Sequence, residues 1–485
     1  MRVIAILFAS ISLLSAHAAD KAQCDDKASL EKAVSDLRNS PETNPAECPN
    51  AKPLPSILNG FDPRRPPTAG REMKSIEMPI DGKVAKLFYA NYPASAKSKG
   101  TVIVLGGGPA MPWIERGRPT IIPKDYDVII VDYPGIGANA QSQFFTSSKS
   151  SAYTLNAAAM SVKEIVRQNG LKNYMLMGHS YGTAVATGAT NMIENDPRVE
   201  RPRALLLEGT LGRSFRPGKS SSEPHEQEAG FINTSKRALA LLSNEDRQQF
   251  QQKIKAIASN KPAHEIAMAQ YMYHQLSQGA SATSAMIREL NKMPNDQILS
   301  CAKTFLKMDD EQQKLNPLSS ANALKNVTRS ACEMIQPSKG ATTFPLFEGL
   351  VSKESSLLKV CQCASSKDAG IYDAAKFPIK KTPIFYISGD SDPNTPSWQL
   401  DYHKKQMTAP SATYGIADGG HADFFAGMME KRCYDNSFAT AFKGATDQWA
   451  NAMDDCQMKI TFENPPFDPR NPFMPMDDGS SEAVE

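Results

Sequence analysis

The sequence predicts an α/β fold: a mostly parallel, doubly wound sheet interrupted by one large helical insertion. Three observations carry that reading. Short β-branched runs such as Thr101-Val102-Ile103-Val104-Leu105 and Asp127-Val128-Ile129-Ile130-Val131 are apolar on both faces, as strands are when helices cover a sheet from both sides. Helical spacing separates such runs, as at 154–168, where Ala158, Val162, Ile165 and Val166 share a face. The alternation stops near residue 211 and resumes at 383, with a polar stretch rich in Gln, Ser, Lys, Met and Ala between.

Taken in order, the chain starts with Met1-Arg2, an apolar run over 3–14 and Ala16-His17-Ala18. That is the charge, length and small-residue site of a secretory leader cut after Ala18, and the run is too short to span a bilayer. Residues 1–18 are therefore expected to be a signal peptide and 19–72 a polar, proline-rich N-terminal extension. A first core segment is expected over 73–210. It should hold strands at 75–79 and 86–92 about an Asp81-Gly82 turn, then at 101–105, 127–132, 174–177 and 204–207, with helices at 154–168 and 183–193. A helical cap is expected over 211–376; Met268 and Met272 within it are spaced like one helix face and read as core packing. The second core segment, 377–460, should bring a strand at 383–388, a helix at 396–407, a strand at 412–416 and a closing helix at 437–453. The tail, 461–485, alternates proline with Phe and Met and is expected to be irregular.

Composition narrows the classes of function. With 41% hydrophobic and 22% charged residues, the chain can bury a sizeable core. A net charge of +2 without a long basic block gives no support to nucleic-acid or acidic-membrane partners. No later stretch has the length and apolarity of a membrane span. All eight cysteines (Cys24, Cys48, Cys301, Cys332, Cys361, Cys363, Cys433 and Cys456) follow the leader, which fits disulfides in an oxidising compartment. Cys24 with Cys48 and Cys433 with Cys456 are the expected pairs, the other four bonding among themselves. Cys361-Gln362-Cys363 could instead suggest metal, but neither C-x-x-C nor H-E-x-x-H accompanies it, so no metal or cofactor is expected. The sequence leaves the oligomeric state open.

The chemistry centres on Gly178-His179-Ser180-Tyr181-Gly182, between the strand ending at 177 and the helix starting at 183. G-x-S-x-G at a strand-to-helix turn raises the serine above the sheet, and the helix offers its amino terminus to developing negative charge. The pentapeptide alone is a weak signal, expected by chance roughly one time in six in a chain this long. Its surroundings strengthen it. A serine needs a base, and the base a carboxylate, in chain order Ser, Asp or Glu, His. Of seven histidines, His17 leaves with the leader, His179 should point away from the working side of Ser180, and His225, His264 and His274 belong to the cap. His403 lies on the helix after the acid loop, which leaves His421, in Gly419-Gly420-His421, as base. Asp392, deep in the loop after the 383–388 strand, is the expected acid, and Asp390 reads as a turn former. The oxyanion donors should be the amides of Tyr181 and of Gly108, within Gly106-Gly107-Gly108-Pro109.

These motifs, with Asp-x-x-Gly-x-Gly at 132–137, Gly-His-Ser-Tyr-Gly-Thr at 178–183 and Asp-Pro-Asn-Thr-Pro at 392–396, resemble the proline iminopeptidase and tripeptidyl aminopeptidase branch of α/β-hydrolases. The resemblance covers about 73–210 and 377–460, and not the cap or the ends. It departs at Gly106, where a histidine is usual in iminopeptidases, at Ala110 in place of glycine, and at Pro134 in place of arginine. It implies a serine exopeptidase with no cofactor, in which an acidic residue holds the substrate's free amino group. Glu208, at a strand's carboxyl end, is placed for that, with Glu223, Glu226 and Glu228 in the cap as further options. The expected substrate is a peptide, or, on the second reading, a small carboxylic ester. A silent binding protein on the same fold is the third.

Overall fold

The computed structural model describes residues 36–37, 71–80, 83–108, 112–114, 117–119, 122–139, 154–219, 223–258, 262–303, 333–336, 344–347, 350–352, 371–421 and 434–459. The expected leader, nearly all of the extension, the tail and six of the cysteines (Cys24, Cys48, Cys332, Cys361, Cys363 and Cys433) lie outside them.

Eight strands form one sheet: β1 (Glu72–Ile80), β2 (Lys83–Tyr92), β3 (Thr101–Leu105), β4 (Asp127–Val131), β5 (Tyr174–His179), β6 (Leu205–Glu208), β9 (Ile384–Gly389) and β10 (Ser411–Ile416). Their order is β1-β2-β4-β3-β5-β6-β9-β10. The first two strands and β4 pair antiparallel, and the rest of the sheet is parallel. In the first hairpin Ile80 pairs with Lys83, which leaves only the expected turn positions 81 and 82 between the strands.

The central strands bury both faces, and alternate side chains feed separate cores. Ile103, Leu105 and Leu176 pack on one side, under helices α1 (Leu155–Gln168) and α2 (Tyr181–Glu194). Val102, Val104, Met175 and Met177 pack on the other, with Phe438, Trp449 and Met453. Thr154 caps α1 by accepting the amide of Ala157.

Between β6 and β9 lie helices α3 (Glu226–Ala240), α4 (Asn244–Ala258), α5 (Pro262–Leu276) and α6 (Ala280–Lys292). They share a third core that includes Phe231, Phe250, Met268, Met272 and Leu290, so the two methionines pack as their spacing suggests. Two features differ from the sequence reading. The cap also holds a hairpin, β7 (Phe344–Leu346) with β8 (Leu350–Ser352), whose three-residue strands are too short to show a period. The helix expected at 396–407 is α7 (Ser397–Gln406), and the closing helix is two helices, α8 (Tyr434–Lys443) and α9 (Thr446–Lys459). Gly444, at φ +77°, takes the left-handed conformation that ends a helix, with its amide donating to Ala441 O. No helix among the described residues is long and apolar enough to cross a membrane.

Candidate active site

Ser180 follows β5 directly, and its backbone is left-handed, with φ 52° and ψ −122°. A non-glycine residue in this region stores strain, and the neighbours hold it there. Ser180 N–H donates to Glu208 O (2.9 Å), while Ser180 O accepts from Thr183 N (2.9 Å) and Thr183 Oγ1 (2.6 Å). The flanking glycines are steric necessities. A Cβ on Gly182 would lie 2.0 Å from Leu105 O, and one on Gly178 would lie 2.7 Å from Gly182 O. The sharp turn and the start of α2 thus follow from what cannot be placed beside Leu105.

The glycine run after β3 lies against the serine. A Cβ on Gly107 would sit 2.8 Å from Ser180 Cβ and 2.8 Å from His179 Cδ2. Gly108 has φ +59°. Trp113, which the sequence reading passed over, packs on this run. Its indole N–H donates to Gly107 O (3.1 Å), and a Cβ on Gly106 would meet Trp113 Nε1 at 1.8 Å. The space that a side chain at Gly106 would need is taken by the indole.

Asp132, the first residue of the Asp-x-x-Gly-x-Gly motif, is fully buried and acts as a clamp. Its carboxylate accepts the amides of Trp113 (2.6 Å), Ile114 (3.0 Å) and Ala138 (3.0 Å).

The acid and the base meet. His421 Nδ1 lies 2.8 Å from Asp392 Oδ2, and both side chains are buried. Asp392 Oδ1 accepts the amides of Asn394 (2.8 Å) and Thr395 (2.9 Å), and Oδ2 accepts the Thr395 hydroxyl (2.5 Å). Burial pushes this carboxyl upward, but the attraction of His421 and the hydrogen bonds from His421 and Thr395 together hold it below its ordinary value. His421 Nε2 is buried with no hydrogen-bond partner, so one ring nitrogen is held and the other is unengaged. The ring packs on the residue after β6: a Cβ on Gly209 would lie 3.1 Å from His421 Cε1. Asp390, by contrast, is exposed, and its carboxylate accepts the amide of Asp418 (2.6 Å), which ties its loop to the one before His421 rather than closing a local turn.

The chain belongs to the α/β-hydrolase family. The family model described as alpha/beta hydrolase fold matches residues 100–427. No curated protein matches the chain. Solved structures similar to it include a proline iminopeptidase of Mycobacterium smegmatis, at 13% identity over 79% of this chain and 100% of that one (TM-score 0.40). The epoxide hydrolase CorEH is 13% identical over 76% of this chain and 98% of its own (TM-score 0.37). The serine hydrolase CCSP0084 of Cycloclasticus zankles is 12% identical over 78% and 100% (TM-score 0.37).

The remaining candidate residues of this hydrolase fold divide by partner. Glu208 is buried at the end of β6, with Oε2 3.3 Å from His179 Nδ1. His179 does not point away from the working side as expected. Its ring centroid is 5.1 Å from that of His421, in space left by the missing side chain of Gly107. Glu226 is spent on a two-pronged pair with Arg213, both bonds 2.7 Å. Glu223 accepts the amide of Lys219 (2.8 Å). Glu228 is buried in the cap and accepts the hydroxyl of Tyr273.

His403, His225 and His264 are held by partners away from the Asp392–His421 pair. His403 is fully buried between Thr187 Oγ1 and Tyr386 Oη, both 2.9 Å away, and burial pushes its pKa down to about 3. His225 caps α3 and is likewise lowered by burial, and His264 Nδ1 lies 3.2 Å from Ile257 O. The side chain of His274 lies outside the described residues. No group of three or more His, Cys, Asp or Glu that could hold a metal occurs among the described residues.

Proposed function

We propose that the protein is an exported serine hydrolase, an aminopeptidase that cleaves one residue or a short peptide from free amino termini through an acyl-enzyme. The observation that carries this is the buried 2.8 Å Asp392–His421 pair, whose ring packs on Gly209, next to the Glu208 carbonyl that the positive-φ Ser180 meets at its strand-to-helix turn. Ser180 Oγ attacks the carbonyl carbon as His421 Nε2 takes its proton. Asp392 holds Nδ1–H and stabilises the imidazolium. The amides of Gly108 and Tyr181 receive the oxyanion. His421 then gives its proton to the leaving amine, and water repeats the sequence on the ester. Besides substrate and water, these steps call on the chain's own residues alone.

Two buried carboxylates support a free-amine substrate. Glu208 ends β6, in register with His179 and with its carbonyl on Ser180 N–H, and Glu228 accepts a hydrogen bond from Tyr273, one helical turn before Ser277 on the element that reaches the His421 loop. Export is supported by the leader pattern of residues 1–18 and by the disulfide at Cys301. One observation favours the second reading, an ester hydrolase: both acids already have partners, His179 and Tyr273, and an ester needs no ammonium site.

Peptide anilides with free and acetylated amino termini, compared with p-nitrophenyl esters, test the choice. Cleavage of the free-amine anilides alone, lost in Ser180→Ala, is expected. Ser180-dependent turnover of esters alone would replace the peptidase reading by the esterase one. No Ser180-dependent turnover of any of them would leave both without support.

A further inference from the structure

We propose that the cap turn between α5 and α6, Ser277-Gln278-Gly279, is a positioning element for the reaction, holding the His421 loop and the acid loop in register. This rests on the reading of Ser180, Asp392 and His421 as a triad, and not on whether the substrate is a peptide or an ester.

Both loops come to this one turn. His421 N–H donates to Ser277 O (2.9 Å), and Asn394 Nδ2 donates to Ser277 Oγ (3.0 Å). Ser277 and Asn394 are both buried. Packing is as close as the hydrogen bonds. A Cβ on Gly420 would lie 2.5 Å from Ser277 O and 2.5 Å from the carbonyl carbon of Gln278. Gly279 has φ +96°, and a Cβ there would lie 2.6 Å from Asp418 O. The next helix continues the contact, Ser281 N–H donating to Asp418 Oδ2 (3.1 Å), while Asp418 Oδ1 accepts the hydroxyl of Ser391 (2.8 Å). On the acid side, Thr234 of α3 donates to Ser391 O (3.2 Å), and a Cβ on Gly230 would lie 2.4 Å from Pro393 O.

The need for such support follows from where the base sits. His421 follows β10, the edge strand of the sheet, on a connecting loop. Loops are the mobile part of a fold, whereas proton transfer tolerates only about 0.5 Å of misplacement. The cap turn supplies fixed partners on either side of the Asp392–His421 bond. Ser277 is therefore a positioning residue: it acts through the His421 backbone and the Asn394 side chain and touches no reacting atom. Loss of its hydroxyl should lower kcat and leave KM nearly unchanged, because the acid loop shifts under the Asp392–His421 pair and the substrate contacts do not.

The test uses the full chain, a fluorophosphonate that labels an activated serine, and the best anilide or ester substrate. Ser277→Ala removes one hydroxyl and should slow Ser180 labelling and kcat roughly tenfold, with KM within about twofold. Asn394→Ala should cost the same, and the double variant no more than either, since both remove one bond. Gly279→Ala should slow both rates roughly a hundredfold. Lys292→Ala, on the exposed face of α6, should label like the wild type. Labelling of Ser277→Ala and Gly279→Ala at the wild-type rate would overturn the positioning role alone. Additive losses in the double variant would also overturn it. A folded wild type that takes no label at Ser180 would overturn the triad reading, and the proposal with it.

Discussion

The two halves of the candidate site are built by different means. The nucleophile half, Ser180 with the glycine run, is made by local packing: β3 leaves no room for a Cβ at Gly182, 2.0 Å from Leu105 O, and the indole of Trp113 leaves none at Gly106, 1.8 Å from its Nε1. The acid–base half, Asp392 and His421, stands on loops after β9 and β10, and the cap holds both. One half is fixed by steric exclusion between the elbow, the end of β3 and the Trp113 indole. The other depends on side chains and carbonyls more than a hundred residues away in sequence. Damage to the cap should therefore reach the base and spare the nucleophile's backbone.

The largest effects separate the halves chemically. Ser180→Ala should lower kcat by about 10⁶-fold while the protein melts within a few degrees of the wild type, since the side chain carries chemistry and not packing. Asp392→Asn should lower kcat by about 10⁴-fold by releasing the imidazole from its tautomer. The acid also makes a stability prediction. Its folded pKa lies below the ordinary 3.8, so the stability it supplies is fully present above 3.8 and is lost as pH falls through the lowered folded value. The difference in melting temperature between wild type and Asp392→Asn should hold from pH 7 to about 4 and shrink below that. A difference that is constant down through the acid range would show that the carboxylate's charge is not what the fold uses.

Gly182→Ala comes next and acts on the other half. The added carbon would meet a backbone carbonyl, which cannot rotate aside as a side-chain tip can, so β3 or the elbow must shift. A loss of at least about 3 kcal/mol is expected in denaturant unfolding. A variant that folds with wild-type stability would mean that the elbow is looser than the contacts imply, and the contrast between the halves would fail.

How much of this was legible in the sequence follows the same division. The strands announce themselves by residues such as Val102 and Ile103, apolar on both faces, and the elbow by its two glycines, because those constraints are local and leave a residue pattern. Asp392 and His421 could be placed because both follow strands whose order the sequence reveals. The partners of those loops could not. Ser277 is one serine among many at the end of a helix, and nothing in its surroundings marks that its carbonyl meets the His421 amide. Trp113 and the orientation of His179 were missed for a related reason: each fills space that glycines elsewhere in the chain leave open. The break at Gly444 did carry a signal, a glycine within a helical pattern, as a helix end often does. The β7–β8 hairpin, with three residues in each strand, carried none.

The smallest expected effect sharpens the comparison most. Arg237, on α3, also joins the cap to both loops: Nη1 donates to Asp390 O (2.6 Å), and Nη2 lies 3.3 Å from Asp390 Oδ1 and 3.7 Å from Asp418 Oδ1. These groups are exposed or half-exposed, so screening and side-chain entropy offset most of the attraction, and Arg237→Ala should cost less than about 1 kcal/mol of stability. Its effect on kcat should be under about threefold and should vanish at about 1 M salt, where exposed charges are screened within about 3 Å. Measured beside Ser277→Ala, whose lost bond to Asn394 is buried beyond the reach of salt, this variant tells which contact holds the loops of the acid–base pair. If Arg237→Ala costs as much kcat as Ser277→Ala and salt reproduces the loss in the wild type, the loops are held by charge at the rim. A small, salt-erased effect leaves the buried turn as the support, because only a partner shielded from water keeps its strength when ions are added.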